Sequence, residues 1–226
     1  MIAGPRVALS HFALAAHHPQ SDRYSFSVES FLSGAMPERV TATSTSHIRQ
    51  TESLLDGQKR ILTMINEDRP LAETLDAICC LIDAQQDGIL SSVLLIDDKG
   101  EHLLHGAAPH LPEAYSKAVH GLNIGVGMGS CGTAAACGEQ VIVEDIATHP
   151  YWAPFKSLAF DNGLAACWST PIRAYDGKVI ATFAVYHKWP KSPTLSERKL
   201  IDFTAHLVSM AANRARERDF LKSQAR

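Results

Sequence analysis

The chain has 226 residues, 46% of them apolar and 20% charged, with a net charge of −3. That length fits one large domain plus flanking helices, and the apolar share is enough to bury an ordinary core. The small net charge excludes a basic footprint for nucleic acid, and no apolar run approaches the roughly 18–20 residues that span a bilayer.

The N-terminal patch VALSHFALAA (7–16) follows Arg6, but Ser10 and His11 interrupt it. His17-His18-Pro19 stands where a signal peptide would carry a small-residue cleavage site, so no signal peptide is expected. Five cysteines without a CxxC pair argue against a disulfide framework or a zinc site. They fit reduced thiols in a cytoplasmic protein. Residues 1–50 are rich in Ser, Thr, His and Pro and show no sustained period. They are expected to form a poorly ordered arm ahead of a domain over 51–212 and a helical extension over 213–226.

A helix is predicted from about Glu52, with Leu54, Leu55, Ile61, Leu62 and Ile65 near helical spacing. Pro70 opens a second helix with the stripe Leu71, Leu75, Ile78, Cys79 and Ile82. ILSSVLLID (89–97), the turn residues DDKG and EHLLHGAA read as a β-hairpin. A short helix around LPEAYSKAVHG leads to the glycine-rich GSCGTAAACG (129–138). QVIVEDI (140–146) reads as a third strand, and HPYWAPFKSLAFDNG as a loop and helix ended by Gly163. LAACWSTPIRA and KVIATFAVYHK are two strands joined across Asp176-Gly177. A long final helix begins near Ser196, with Leu200, Phe203, Leu207 and Met210 in steps of three and four. Helices at both ends therefore bracket a mostly antiparallel sheet. This is an α+β pattern, and its hairpins exclude a doubly wound parallel sheet.

Several residues could carry chemistry. Ser130 or Thr133 could cap the helix that GSCGTAAACG starts, and the free N–H groups there could hold an anion. The same residues also fit a compact turn whose alanines let the helix pack close to the sheet. No Lys-Ser or Lys-Thr follows, so a phosphate loop is not indicated. A helix start would lower the pKa of the Cys131 thiol. Asp145 could bind an amine or fix the following loop. His149 has no second ligand at metal spacing. Trp152, Phe155 and Trp168 could wall a pocket or only fill the core. Strand alternation sends Trp168 to the face opposite Cys167 and Ser169, and leaves open which face the pocket occupies.

The segments GVGMGSCGTAAACGEQVIVEDIATHPYW (125–152), GLAACWSTPI (163–172) and DGKVIATFAVY (176–186) together resemble the GAF family over about residues 55–215. They look most like the bacterial GAF domains that precede diguanylate cyclase, cyclic-di-GMP phosphodiesterase or histidine kinase modules. The resemblance implies a GAF-like sheet with the terminal helices bundled on one face. It also implies a small-molecule sensor without catalytic residues of its own, acting as a homodimer with an output kinase or cyclic-di-GMP enzyme. The expected ligand is small and polar or anionic, held by Ser130, Cys131, Thr133, Asp145, Trp152, Phe155, Trp168 and Ser169.

No metal or cofactor is expected. Ala147 breaks the Asp-Ile-Pro segment of bilin-binding members, and HKWPKSPTLSERK lacks the cyclic-nucleotide signature. One enzyme branch shares the fold, the free methionine-(R)-sulfoxide reductases, and Cys131 matches one of their redox cysteines. The segment that should bring the attacking cysteine, HPYWAPFKSLAFDNG, has none.

Overall fold

The computed structural model describes residues 38–225; residues 1–37, most of the expected arm, lie outside the described residues. The chain divides into two units, Met1–Thr45 and Ser46–Arg226, and the second holds the sheet and its helices. Helix α1 runs over Glu38–Asn66, so it begins well before the expected Glu52. The stretch from Glu38 to Asp56 is rich in Ser and Thr but has neither Pro nor Gly, and nothing in it breaks a helix. Asp68, with φ 55°, makes the turn into α2, Leu71–Asp83.

The sheet has six strands: β1 Ile89–Ile96, β2 His102–Ala107, β3 Leu122–Asn123, β4 Val141–Val143, β5 Ala166–Arg173 and β6 Val179–His187. Their order is β3-β2-β1-β6-β5-β4, and every pairing is antiparallel. Two strands depart from the sequence reading. The two-residue edge strand β3 is too short to show a period, and β4 keeps only three residues of the expected 140–146. Helices α3 (Glu113–Val119), α4 (Gly129–Cys137) and α5 (Lys156–Asp161) lie in the connections, with a 3₁₀ turn at Pro150–Trp152. Helix α6 spans Leu195–Gln224. It starts in a capping box, with the Glu197 amide donating to Thr194 Oγ1 and the Thr194 amide to the Glu197 carboxylate.

Strand alternation sorts the core into two layers. On one face Val93, Trp168, Ile172, Phe183 and Val185 meet Leu75, Ile78, Cys79 and Ile82 of α2 and Ile201, Leu207, Val208 and Ala211 of α6. Ile61 of α1 joins this layer. On the other face Leu94, Leu103, Cys167, Ala184 and Tyr186 meet Tyr115, Cys131, Ile146 and Trp152 from the connections. Facing pairs fix the assignment: Trp168 sits opposite Val185, and Cys167 opposite Tyr186. The expected seam on α6 splits, because Leu207 is buried while Phe203 is 38% exposed. The stripe that reaches the core is Ile201, Thr204, Leu207, Val208, Ala211 and Ala215.

Candidate functional site

The loop before α4 sets the site. Gly127 and Gly129 have φ of 87° and 62°, a region that side-chain-bearing residues resist. The Gly127 amide donates to Thr133 Oγ1 at 3.1 Å, and the Thr133 hydroxyl donates to the Gly129 carbonyl at 2.7 Å. Thr133 therefore ties down its own loop. The N-cap position is Met128, with no side-chain cap, so neither Ser130 nor Thr133 caps α4. Gly132 lets the helix approach the edge of the sheet: a Cβ there would lie 2.6 Å from Met128 Cβ and 2.9 Å from the Asn123 carbonyl.

Ser130 is fully buried and links three elements. The Trp152 indole N–H donates to Ser130 Oγ at 3.0 Å, and Ser130 Oγ donates to the Cys167 carbonyl at 3.1 Å. Beside it lies a cavity of about 30 Å³. Its walls include Leu94 of β1, Tyr115 of α3, Ser130 and Cys131 of α4, Trp152 and Phe155, and Tyr186 of β6. Tyr115 and Tyr186 meet edge to face at 5.6 Å. The Tyr186 hydroxyl is 3.2 Å from Ser92 Oγ and 3.9 Å from Cys131 Sγ. Burial pushes both tyrosine hydroxyls well above the usual phenol range, so both are neutral.

The cavity brings together Ser130, Cys131, Trp152 and Phe155 of the expected residues. Trp168 does not belong with them. It packs in the helical layer, its indole N–H donating to the Lys191 carbonyl at 3.1 Å and its ring 4.4 Å from that of His187. Asp145 takes the loop-fixing role, its carboxylate accepting from the Ala147 amide at 2.9 Å and the Thr148 hydroxyl at 3.2 Å. Thr133 and Ser169 are buried but do not line the cavity. The sequence reading missed Tyr115, Tyr186, Leu94 and Met128. For Tyr186 a signal existed: by strand alternation it shares a face of β6 with the small residues Ala184 and Thr182.

None of the lining residues is Lys, Arg, His, Asp or Glu. The walls are apolar and aromatic, with a few neutral hydroxyls and one thiol. That chemistry suits an uncharged guest better than the expected anion, whose only electrostatic support would be the start of α4.

A GAF domain profile matches residues 67–212. The chain belongs to the GAF domain family. It is also 33% identical, over 77% of its length, to the methyl sulfide methyltransferase-associated sensor of Methanosarcina acetivorans. The match spans 17% of that larger protein. Among solved structures, a protein described as a GAF sensor from Burkholderia vietnamiensis superposes with a TM-score of 0.56 at 18% identity, covering 75% of this chain and 94% of that one. The free methionine-R-sulfoxide reductase of Neisseria meningitidis superposes with a TM-score of 0.57 at 16% identity, covering 74% and 90%. At these identities the two structures share the GAF fold with this chain. Among the described residues, no helix of the GAF domain is long and apolar enough to cross a membrane.

Proposed function

We propose that this GAF domain is the sensory part of a signalling protein and binds a small, uncharged molecule in the cavity between α4 and the sheet. The observation that carries this reading is the convergence of Tyr115, Ser130, Cys131 and Tyr186 on one otherwise apolar cavity. The cavity of about 30 Å³ has room for two or three waters, taking about 10–15 Å³ for each. A larger guest needs Trp152 and Phe155 to swing outward. Both sit on the connection between β4 and β5, which ordinary loop motion can move.

Binding reaches the rest of the protein through α1 and α6. Arg214 of α6 grips the Asp68 carboxylate at the α1–α2 turn, at 2.8 and 3.3 Å, and Arg218 donates to the Asp68 carbonyl at 2.9 Å. Leu55 and Leu62 of α1 and Phe203 of α6 remain exposed and supply an apolar face for a second copy. In this reading a homodimer passes the change to a kinase or cyclic-di-GMP output module. A ligand shifts that arrangement only as far as its affinity differs between the two states.

The test is a thermal-shift panel of uncharged probes (ethanol, acetone, phenol, indole) against nitrate, phosphate and acetate, with light scattering for the oligomeric state. Uncharged probes are expected to stabilise the protein, and Tyr186→Phe to weaken that effect. Stabilisation by anions alone would return the site to the start of α4. No response to any probe in a folded protein would remove the sensor reading. No turnover of free methionine sulfoxide is expected, since the segment 149–163 contains no cysteine.

A further inference from the structure

Helix α4 lies over one face of the sheet and α6 over the other. Arg173, the last residue of β5, is hydrogen-bonded to both. Its side chain reaches the end of α4. Nη2 donates to the Gly138 carbonyl at 2.5 Å, and Nη1 donates to the Gly177 carbonyl at 2.8 Å. Gly138 ends α4 in the left-handed region, at φ 68°, and its amide closes the last turn on the Ala134 carbonyl. A Cβ at Gly138 would lie 2.8 Å from Arg173 Nη2, so this glycine makes room for the guanidinium as well as the turn. A cation there also meets the partial negative charge of a helix C-terminus.

The main chain of Arg173 reaches α6. Its carbonyl accepts from Ser209 Oγ at 2.8 Å and from Asn213 Nδ2 at 3.3 Å, two side chains one helical turn apart. Asn213 Oδ1 accepts from the Tyr175 amide at 3.2 Å, so this buried amide holds the chain on both sides of Ala174. A register shift between Ile172 and Arg173 interrupts the β5–β6 ladder at the same point. Residues 173–175 are therefore freer to follow the helices than the centre of the strand is. At its other end α4 lines the cavity with Gly129, Ser130 and Cys131. Its nine residues make a helix of about 13 Å that moves as a unit.

We propose that Arg173 is a positioning residue that passes a displacement of α4, caused at the cavity, to the Ser209–Asn213 turn of α6. The two arrangements are α4 seated over the cavity of about 30 Å³ and α4 pushed away from the sheet by a larger guest. Coupling between distant sites needs such a pair of states and a connected set of contacts that both sites bias. Moving Gly138 moves the guanidinium, and its second bond, to Gly177, makes the turn over 174–178 move with it. That turn is bonded to Asn213, so α6 receives the change one residue before Arg214 and its contact with Asp68. The proposal rests on the reading of the cavity as the sensory site, but the coupling itself is measured without a ligand.

The test is amide hydrogen exchange, read by mass spectrometry on the full chain without ligand. Cys131→Leu fills the cavity from the first turn of α4 and stands in for a guest. The exchange rate of α6 peptides over residues 205–216 is divided by that of α2 peptides over 71–83, which removes global opening. With Arg173 in place, Cys131→Leu should raise this ratio at least about threefold. With Arg173→Met it should raise it less than about 1.5-fold, as for independent sites. Gly138→Ala breaks the same bond from the α4 side and should uncouple the helices in the same way. If Cys131→Leu fails to fold, Trp152→Phe replaces it, since that change frees the first turn of α4 from the indole bond to Ser130. Equal increases with and without Arg173 would overturn its role and assign the coupling to packing through the sheet. No increase in either background would overturn the coupling of α4 to α6. Neither result bears on probe binding in the cavity, which tests the sensor reading by itself.

Discussion

His187 is the clearest place to test how this core handles charge. It ends β6 in the helical layer, with its ring 4.4 Å from Trp168 and 6.5 Å from Trp189. It is fully buried, and neither ring nitrogen has a hydrogen-bond partner among the described residues. Burial first, and the Lys191 ammonium second, lower its pKa from 6.5 to about 4. The unfolded chain therefore binds a proton below pH 6.5 that the folded protein refuses until about pH 4. Stability rises with pH across that window and is lost as pH falls through it. The full loss is ~3 kcal/mol, at about 1.4 kcal/mol for each pH unit of the difference. By about pH 5 it has reached about 2 kcal/mol.

His187→Phe keeps a ring against Trp168 and removes both unpaired nitrogens. At about pH 8 the variant should match the parent or exceed it slightly, because replacing an unpaired buried polar group by an apolar one of similar shape costs little. Between about pH 7 and pH 5 its stability should fall about 2 kcal/mol less than the parent's. Urea unfolding followed by circular dichroism at half-unit pH steps measures this. The difference between the two proteins cancels Asp83, which is present in both and whose carboxyl pKa is raised by burial. Parallel curves across that range would refute the assignment of a buried, unpaired imidazole.

Gly132→Ala should destabilise the protein by about 1–3 kcal/mol in urea unfolding, against the usual gain of a helical alanine, because its Cβ meets Met128 and the Asn123 carbonyl. Thr194→Ala removes half of the α6 capping box and should cost about 1 kcal/mol by the same assay. Trp152→Phe takes away the donor to Ser130 and should cost about 1–2 kcal/mol, read by thermal unfolding. Arg214→Met should change stability by less than about 1 kcal/mol, since its pairing with Asp68 is solvent-exposed. If it nonetheless uncouples probe binding from a change in oligomeric state, the Asp68 grip carries the signal.

The element order, the two hairpins and the antiparallel α+β sheet were legible in the residues alone. Those features rest on local period and turn chemistry: ILSSVLLID and KVIATFAVYHK are β-branched and apolar, and Asp176-Gly177 favours a tight turn between strands. Ser130, Cys131, Trp152 and Phe155 were also legible as neighbours of the site, because they fall within one short glycine-rich stretch and the connection that follows it. The long α1 was hidden, since Ser and Thr weaken a helix signal without breaking the helix. Which face of the sheet holds the cavity was settled by packing. Alternation tells Trp168 from Cys167 but cannot say which of them meets α2 and α6 and which meets α4. That depends on where chain segments far apart in sequence come together. The same holds for Tyr115 and Tyr186, whose rings meet edge to face from α3 and β6.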